Sequence, residues 1–153
     1  MESIPELLAN EISFLQRFCA LLDEERNALT GAKAEDLPRI AEEKSTLASR
    51  LSALEASRDK LLHKSGLDIG RAGMDAWLET CANPDAERAR WNILLELAAK
   101  ARAENEINGR VINLLLKQNQ EALAVLLSSG GGSIYGPDGQ QRTVGGGRSF
   151  GSV

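Results

Sequence analysis

One histidine and two cysteines make up the whole stock of imidazole and thiol groups in this 153-residue chain. His63 stands beside Lys64 near the expected end of a helix, with none of the Glu-x-x-His spacing by which helical bundles hold metal ions. A single imidazole also leaves no way to build a Ser/His/Asp or Cys/His constellation. Cys19 lies among Phe18, Leu21 and Leu22 and reads as a small buried hydrophobe. Cys81 is far from it and in no CxxC pattern. With no signal peptide and no long apolar stretch, a reducing cytoplasm is the simplest compartment. The glycines from Gly130 to Gly139 lack the preceding strand, the terminal Lys-Ser/Thr and the following helix of a phosphate-binding loop. We therefore expect no catalytic, cofactor or metal site, and no enzyme.

The feature that asks for a partner is apolar. Between Val111 and Leu127 the sequence places Val111, Ile112, Leu114, Leu115, Leu116, Leu123, Val125, Leu126 and Leu127 on one helix. At about 100° per residue they cover an arc of roughly 220°, where a helix facing one core needs little more than 100°. The surplus can enter a larger core, a self-dimer or a groove for an amphipathic helix of a partner. Asn105, Asn108 and Asn119 fall on or beside the inner seam. Seam amides commonly fix register, and they could also serve an incoming peptide.

Bulk properties narrow the class further. The chain carries a net charge of -4 and no basic run, so nucleic acid is not an expected partner. Negative charge concentrates before Thr30, in Glu2, Glu6, Glu11, Asp23, Glu24 and Glu25. Aromatic residues are only 4% of the chain, so the core must be aliphatic, which favours helices over strands.

The elements that position these residues are legible from start and stop signals. Ser3-Ile4-Pro5-Glu6 forms an S-x-x-E capping box before a stripe of Leu8, Ile12, Leu15, Phe18 or Cys19, Leu22 and Leu29, and Gly31 ends that helix. Asp36 is a plausible cap for a second helix with the stripe Leu37, Ile40, Lys44, Leu47, Leu51, Leu54, Arg58, Leu61 and Leu62. Lys44 and Arg58 can lay their stems on apolar surface and reach water or a carboxylate of the first helix. The short connection makes the pair an antiparallel hairpin. Met74, Trp77 and Leu78 suggest a short helix that lids its end, after Gly66, Gly70 and Gly73 interrupt the pattern. Asn83-Pro84-Asp85 starts the last helix. The expectation is an all-α antiparallel bundle of three long helices and one short one, about 4–30, 37–64, 71–80 and 84–128, in a single domain 1–128. A flexible Gly-rich tail, 129–153, follows, holding the Tyr135-Gly136-x-x-Gly139 island.

Several of these elements, in order, resemble the FlgN family of flagellar export chaperones. They are Leu21-Leu22-Asp23-Glu24-Glu25, Lys44-x-x-Leu47-x-x-x-Leu51, Arg58-x-x-Leu61-Leu62, Trp91-x-x-Leu94 and Asn105-Glu106-Ile107-Asn108-Gly109-x-x-Ile112, followed by Tyr135-Gly136. The resemblance reaches to about residue 140; Arg142 to Val153 match nothing in it. It implies a bacterial cytoplasmic chaperone without ATPase activity. Such a chaperone binds the C-terminal helical region of hook-associated proteins 1 and 3, the hook-filament junction proteins, and prevents their premature assembly. It then delivers them to the cytoplasmic domain of the export-gate protein FlhA, acting transiently at the membrane without inserting into it. On this reading client contacts fall to Asn105, Asn108, Val111, Ile112, Leu115, Leu116, Asn119, Leu123 and Leu126, and gate docking to Tyr135 and Gly136. The free protein is expected as a monomer or weak homodimer. The competing expectation is a self-associating coiled-coil or adaptor protein that uses the same surplus face.

Overall fold

The computed structural model describes residues 1–31 and 33–131. Four helices follow in order: α1 (Ile4–Thr30), α2 (Leu37–Lys64), α3 (Gly70–Thr80) and α4 (Pro84–Leu126). A 3-10 turn, Ala34–Asp36, precedes α2, and a π turn, Leu127–Gly131, follows α4.

The capping box at the start of α1 is complete. The Ser3 hydroxyl accepts from the Glu6 backbone N–H at 3.4 Å, and the Glu6 carboxylate accepts from the Ser3 N–H at 3.0 Å. The Ser3 hydroxyl also donates to the Glu6 carboxylate at 2.7 Å, and this bond, with that from the Ser3 N–H, holds the Glu6 carboxyl below its ordinary range. Asp36 corrects an expectation. Its side chain makes no cap bond, because the preceding 3-10 turn has already brought its backbone into the helical region. The entry to α2 is held instead by the Asp36 N–H donating to the Lys33 carbonyl at 3.1 Å.

Ion pairs set the direction of α2 on α1. Glu24 meets Arg39, Glu25 meets Lys44 and Glu11 meets Arg58, so rising numbers on one helix face falling numbers on the other: an antiparallel hairpin. The core runs through Leu8, Leu15 and Leu22 of α1, Leu62 of α2, Met74 and Leu78 of α3, and Trp91 and Leu94 of α4. A second cluster of Leu21, Ala28, Ile40 and Leu47 fills the connector end of the hairpin. Leu7 and Leu21 are fully buried beside the stripe read from the sequence, so α1 is covered on more than one side. Each buried leucine contributes about 2 kcal/mol of apolar transfer.

α3 closes the far end as a lid, with Met74 and Leu78 both at 0% exposure. Its approach is set by two glycines. Gly70 adopts φ 73°, and its N–H donates to the Asp59 carboxylate at 3.0 Å. At Gly73 a Cβ would stand 1.7 Å from the Asp68 carbonyl oxygen and 3.2 Å from Leu62 Cδ1.

The residues divide into two compact units, Met1–Gly109 and a second that begins at Arg110. Asn108 is the last buried residue of α4, and none between Arg110 and Ser129 is buried.

Gly73→Ala is expected to destabilise the chain by about 3 kcal/mol, the upper end for overpacking, since a backbone carbonyl must move. Urea unfolding followed by circular dichroism measures this. An unchanged midpoint would show that the corner yields freely.

Candidate functional site

Two polar stations in the first unit tie three helices together. At one, Arg58 Nε and Nη2 donate to the two carboxylate oxygens of Glu11 at 3.0 and 3.3 Å, and the guanidinium lies 5.1 Å from the centre of the Trp91 ring. Both charged residues are nearly inaccessible, at 4% exposure each. Burial pushes the Glu11 carboxyl up to about 7, more than the neighbouring Arg58 charge draws it down, with Glu55 and Asp59 raising it further. At the other station Lys44 Nζ donates to Glu25 at 3.0 Å and to Asn105 Oδ1 at 2.7 Å.

Asn108 completes that second station. Its Nδ2 donates to the Leu22 carbonyl and to Glu25 Oε1, both at 2.9 Å, while its Oδ1 accepts from Arg26 Nε at 2.9 Å. With the amide engaged on every side and 1% exposed, Asn108 fixes register in this conformation and offers nothing outward. Asn105 is exposed, and its carbonyl oxygen is taken by Lys44. Fourteen residues separate Glu11 from Glu25, Lys44 from Arg58, and Trp91 from Asn105, so the stations recur at two-heptad spacing on all three helices.

The second unit carries the apolar face. Leu116, Leu123 and Leu126 are 53%, 56% and 61% exposed. Leu114, Val125 and Leu127 are uncovered to a similar degree. Val111, Ile112 and Leu115 are half-buried, and Asn119 is exposed. From Val111 to Leu127 the only charges are Lys117 and Glu121. Large aliphatic side chains are thus left uncovered along the whole of this stretch. Tyr135 and Gly136 lie outside the described residues.

Sequence reasoning placed Lys44 and Arg58 on the stripe of α2 and missed their partners Glu11 and Glu25. The signal was present: each lies three residues after a core leucine of α1, Leu8 or Leu22, and so faces inward. His63 is exposed. Among the described residues no group of three or more His, Cys, Asp or Glu could hold a metal ion. Among them, too, no helix is long and apolar enough to cross a membrane.

The fold and these surfaces define an all-helical protein whose most prominent uncovered feature is an aliphatic helix face. Known proteins place it more closely. The family model described as FlgN protein matches residues 1–143. The Flagella synthesis protein FlgN of Yersinia enterocolitica is 27% identical over 144 residues, covering 93% of this chain and 91% of its own. That of Salmonella typhimurium is 30% identical over 142 residues, covering 92% and 91%. The crystal structure of a Pseudomonas aeruginosa protein described as a flagella synthesis protein FlgN superposes with a TM-score of 0.67. It is 26% identical and covers 74% of this chain and 90% of its own. The chain belongs to the FlgN family of flagellar chaperones, which are not enzymes.

The raised Glu11 carboxyl has a pH consequence with a definite sign. A carboxyl whose folded value lies near 7 rather than 4.5 stabilises the fold most when protonated, and that stabilisation is lost as pH rises through 7. Between pH 5 and pH 8 the wild type should therefore lose stability relative to Glu11→Gln, which does not titrate. Paired urea melts at the two values check this. A gap that moves the other way would show that the Arg58 charge outweighs burial.

Proposed function

We propose that this chain is a cytoplasmic export chaperone for the hook-filament junction proteins, hook-associated proteins 1 and 3. The second unit's helix face binds the client's C-terminal helical region. Its occupation keeps the client unassembled until delivery to the flagellar type III export gate. The observation that carries this reading is the uncovered arc of Leu114, Leu116, Leu123, Val125, Leu126 and Leu127. A helix with this much exposed aliphatic surface gains by covering it, and a client's amphipathic helix is a natural cover. Val111, Ile112 and Leu115 extend the face, and the exposed Asn119 amide supplies a polar contact within it. Family membership supports the flagellar setting. The Tyr135-Gly136 element is proposed as the motif that docks to the cytoplasmic domain of FlhA, held to the helical part by a Gly-rich linker.

Leu123→Asp combined with Leu126→Asp tests the face. Both side chains are more than half exposed, so helicity and melting temperature should be unchanged. Affinity for the C-terminal region of hook-associated protein 1 should fall at least about tenfold, measured by titration calorimetry. Undiminished binding by a fully helical double variant would remove this face from the client site. Light scattering on the wild type decides the competing use of the same surface. A tight homodimer that ignores the junction proteins would make it a self-association face instead.

Tyr135→Ala should leave client affinity unchanged and weaken capture by the FlhA cytoplasmic domain about tenfold, a loss typical of an aromatic anchor. Surface plasmon resonance with immobilised gate domain reads the second effect. A loss of client affinity instead would overturn the division of labour between face and tail.

A further inference from the structure

The two polar stations of the first unit hold α2 and α4 at two levels, Arg58 against Trp91 and Lys44 against Asn105. Between those levels the helices leave a slot of about 390 Å³. Its floor is Leu15 and Phe18 of α1 with Leu51 and Leu94. Its mouth is walled by small residues, Ala48 and Ser52 on α2 and Ala98 on α4, which let a helix backbone approach closely. The volume lies in the range of small-ligand sites, yet the slot is an open trough, a shape suited to side chains of a helix laid along it.

The charges at the mouth specify the occupant. The antiparallel register that pairs residue 58 with 91 and 44 with 105 sets Glu55 at the level of Leu94, and Ala48 at the level of Ala101, next to Arg102. Glu55 and Arg102 therefore stand on opposite walls and near opposite ends of the slot, about 12 Å apart along the helix axis. Both are exposed, and neither has an ion-pair partner among the described residues.

We propose that the slot between α2 and α4 docks an amphipathic helix of a partner protein through two aliphatic side chains about one turn apart. The partner helix carries a cation beside Glu55 and, about two turns away, an anion beside Arg102. This surface lies wholly within the first unit and is separate from the aliphatic face that begins at Val111. A second contact of this kind would let one chaperone molecule read two helices, with selectivity drawn from the charge pair and adhesion from the leucine-sized floor.

The test uses the full chain and two fluorescein-labelled stapled helical peptides of about 14 residues. Each carries two leucines four residues apart. One has Lys and Glu placed to meet Glu55 and Arg102, and the other has the two charges exchanged. Fluorescence anisotropy should show the first peptide binding the wild type at least about tenfold more tightly than the second. Ala98→Trp, which fills the mouth, should reduce binding about tenfold. The double reversal of Glu55→Lys with Arg102→Glu should exchange the preference between peptides, a change that no general loss of structure produces. The Leu123→Asp, Leu126→Asp variant should bind the first peptide as the wild type does, which separates this slot from the client face. Failure of the wild type to bind, or binding indifferent to both Ala98→Trp and the charge reversal, would overturn the proposal. Conversion of a wild-type dimer to monomer by Ala98→Trp would also overturn it, by making a second copy of the chain the occupant.

Discussion

A guanidinium buried to 4% exposure cannot stand alone inside a small helical bundle, and the placement of Arg58 constrains nearly everything around it. It must meet a carboxylate, which brings Glu11 to its level on α1. Its flat face requires a surface to lie on, which brings Trp91 of α4 to within 5.1 Å. One residue of α2 therefore fixes both neighbours along the bundle axis. Such a pair contributes little net stability, since desolvation offsets attraction, and the raised Glu11 carboxyl is a symptom of that offset. What it contributes is register: sliding a neighbour by one turn would leave a buried charge without its partner.

The same logic operates four turns away with weaker elements. Lys44 is half-buried, and its ammonium is shared between Glu25 and Asn105. Asn108 ties Glu25, the Leu22 carbonyl and Arg26 into the same station. Between the stations the core can be loosely filled without loss of alignment, which is where the slot opens. Beyond Asn108 no residue up to Ser129 is buried, and α4 is free to present aliphatic side chains to something else. Rigid specification within the first unit and an uncovered surface in the second are the two halves of a binding protein.

Much of the fold was legible because it depended on local signals. The Ser3–Glu6 capping box, the stops at Gly31 and before Asn83, and the leucine stripes each act within a turn or two of their own position. Lys44 and Arg58 stood out as cations on apolar stripes, with water or a carboxylate on α1 as the expected destination. Which carboxylate was harder. Glu11 and Glu25 looked like members of an acidic, solvated first helix, and only their phase against Leu8 and Leu22 separates them from Glu24 or Asp23. Asp36 misled because a good capping residue was pre-empted by a 3-10 turn, a tertiary circumstance that the local pattern does not carry. Asn108 was weighed between register and peptide contact; here it is buried, with its amide bonded to Leu22, Glu25 and Arg26. The breadth of the apolar face was visible from the helical spacing of its residues, whereas the boundary after Gly109 depends on burial, which sequence does not display.

The corner at Gly73 bears on how such a chain can change over time. With the Asp68 carbonyl oxygen 1.7 Å from where a Cβ would sit, no side chain is admitted while the loop keeps its path. A tolerated replacement there would have to coincide with a rearrangement of the 66–70 loop, and neither step is neutral without the other. The lid of this bundle is therefore a place where inheritance is coupled: its residues drift together or not at all.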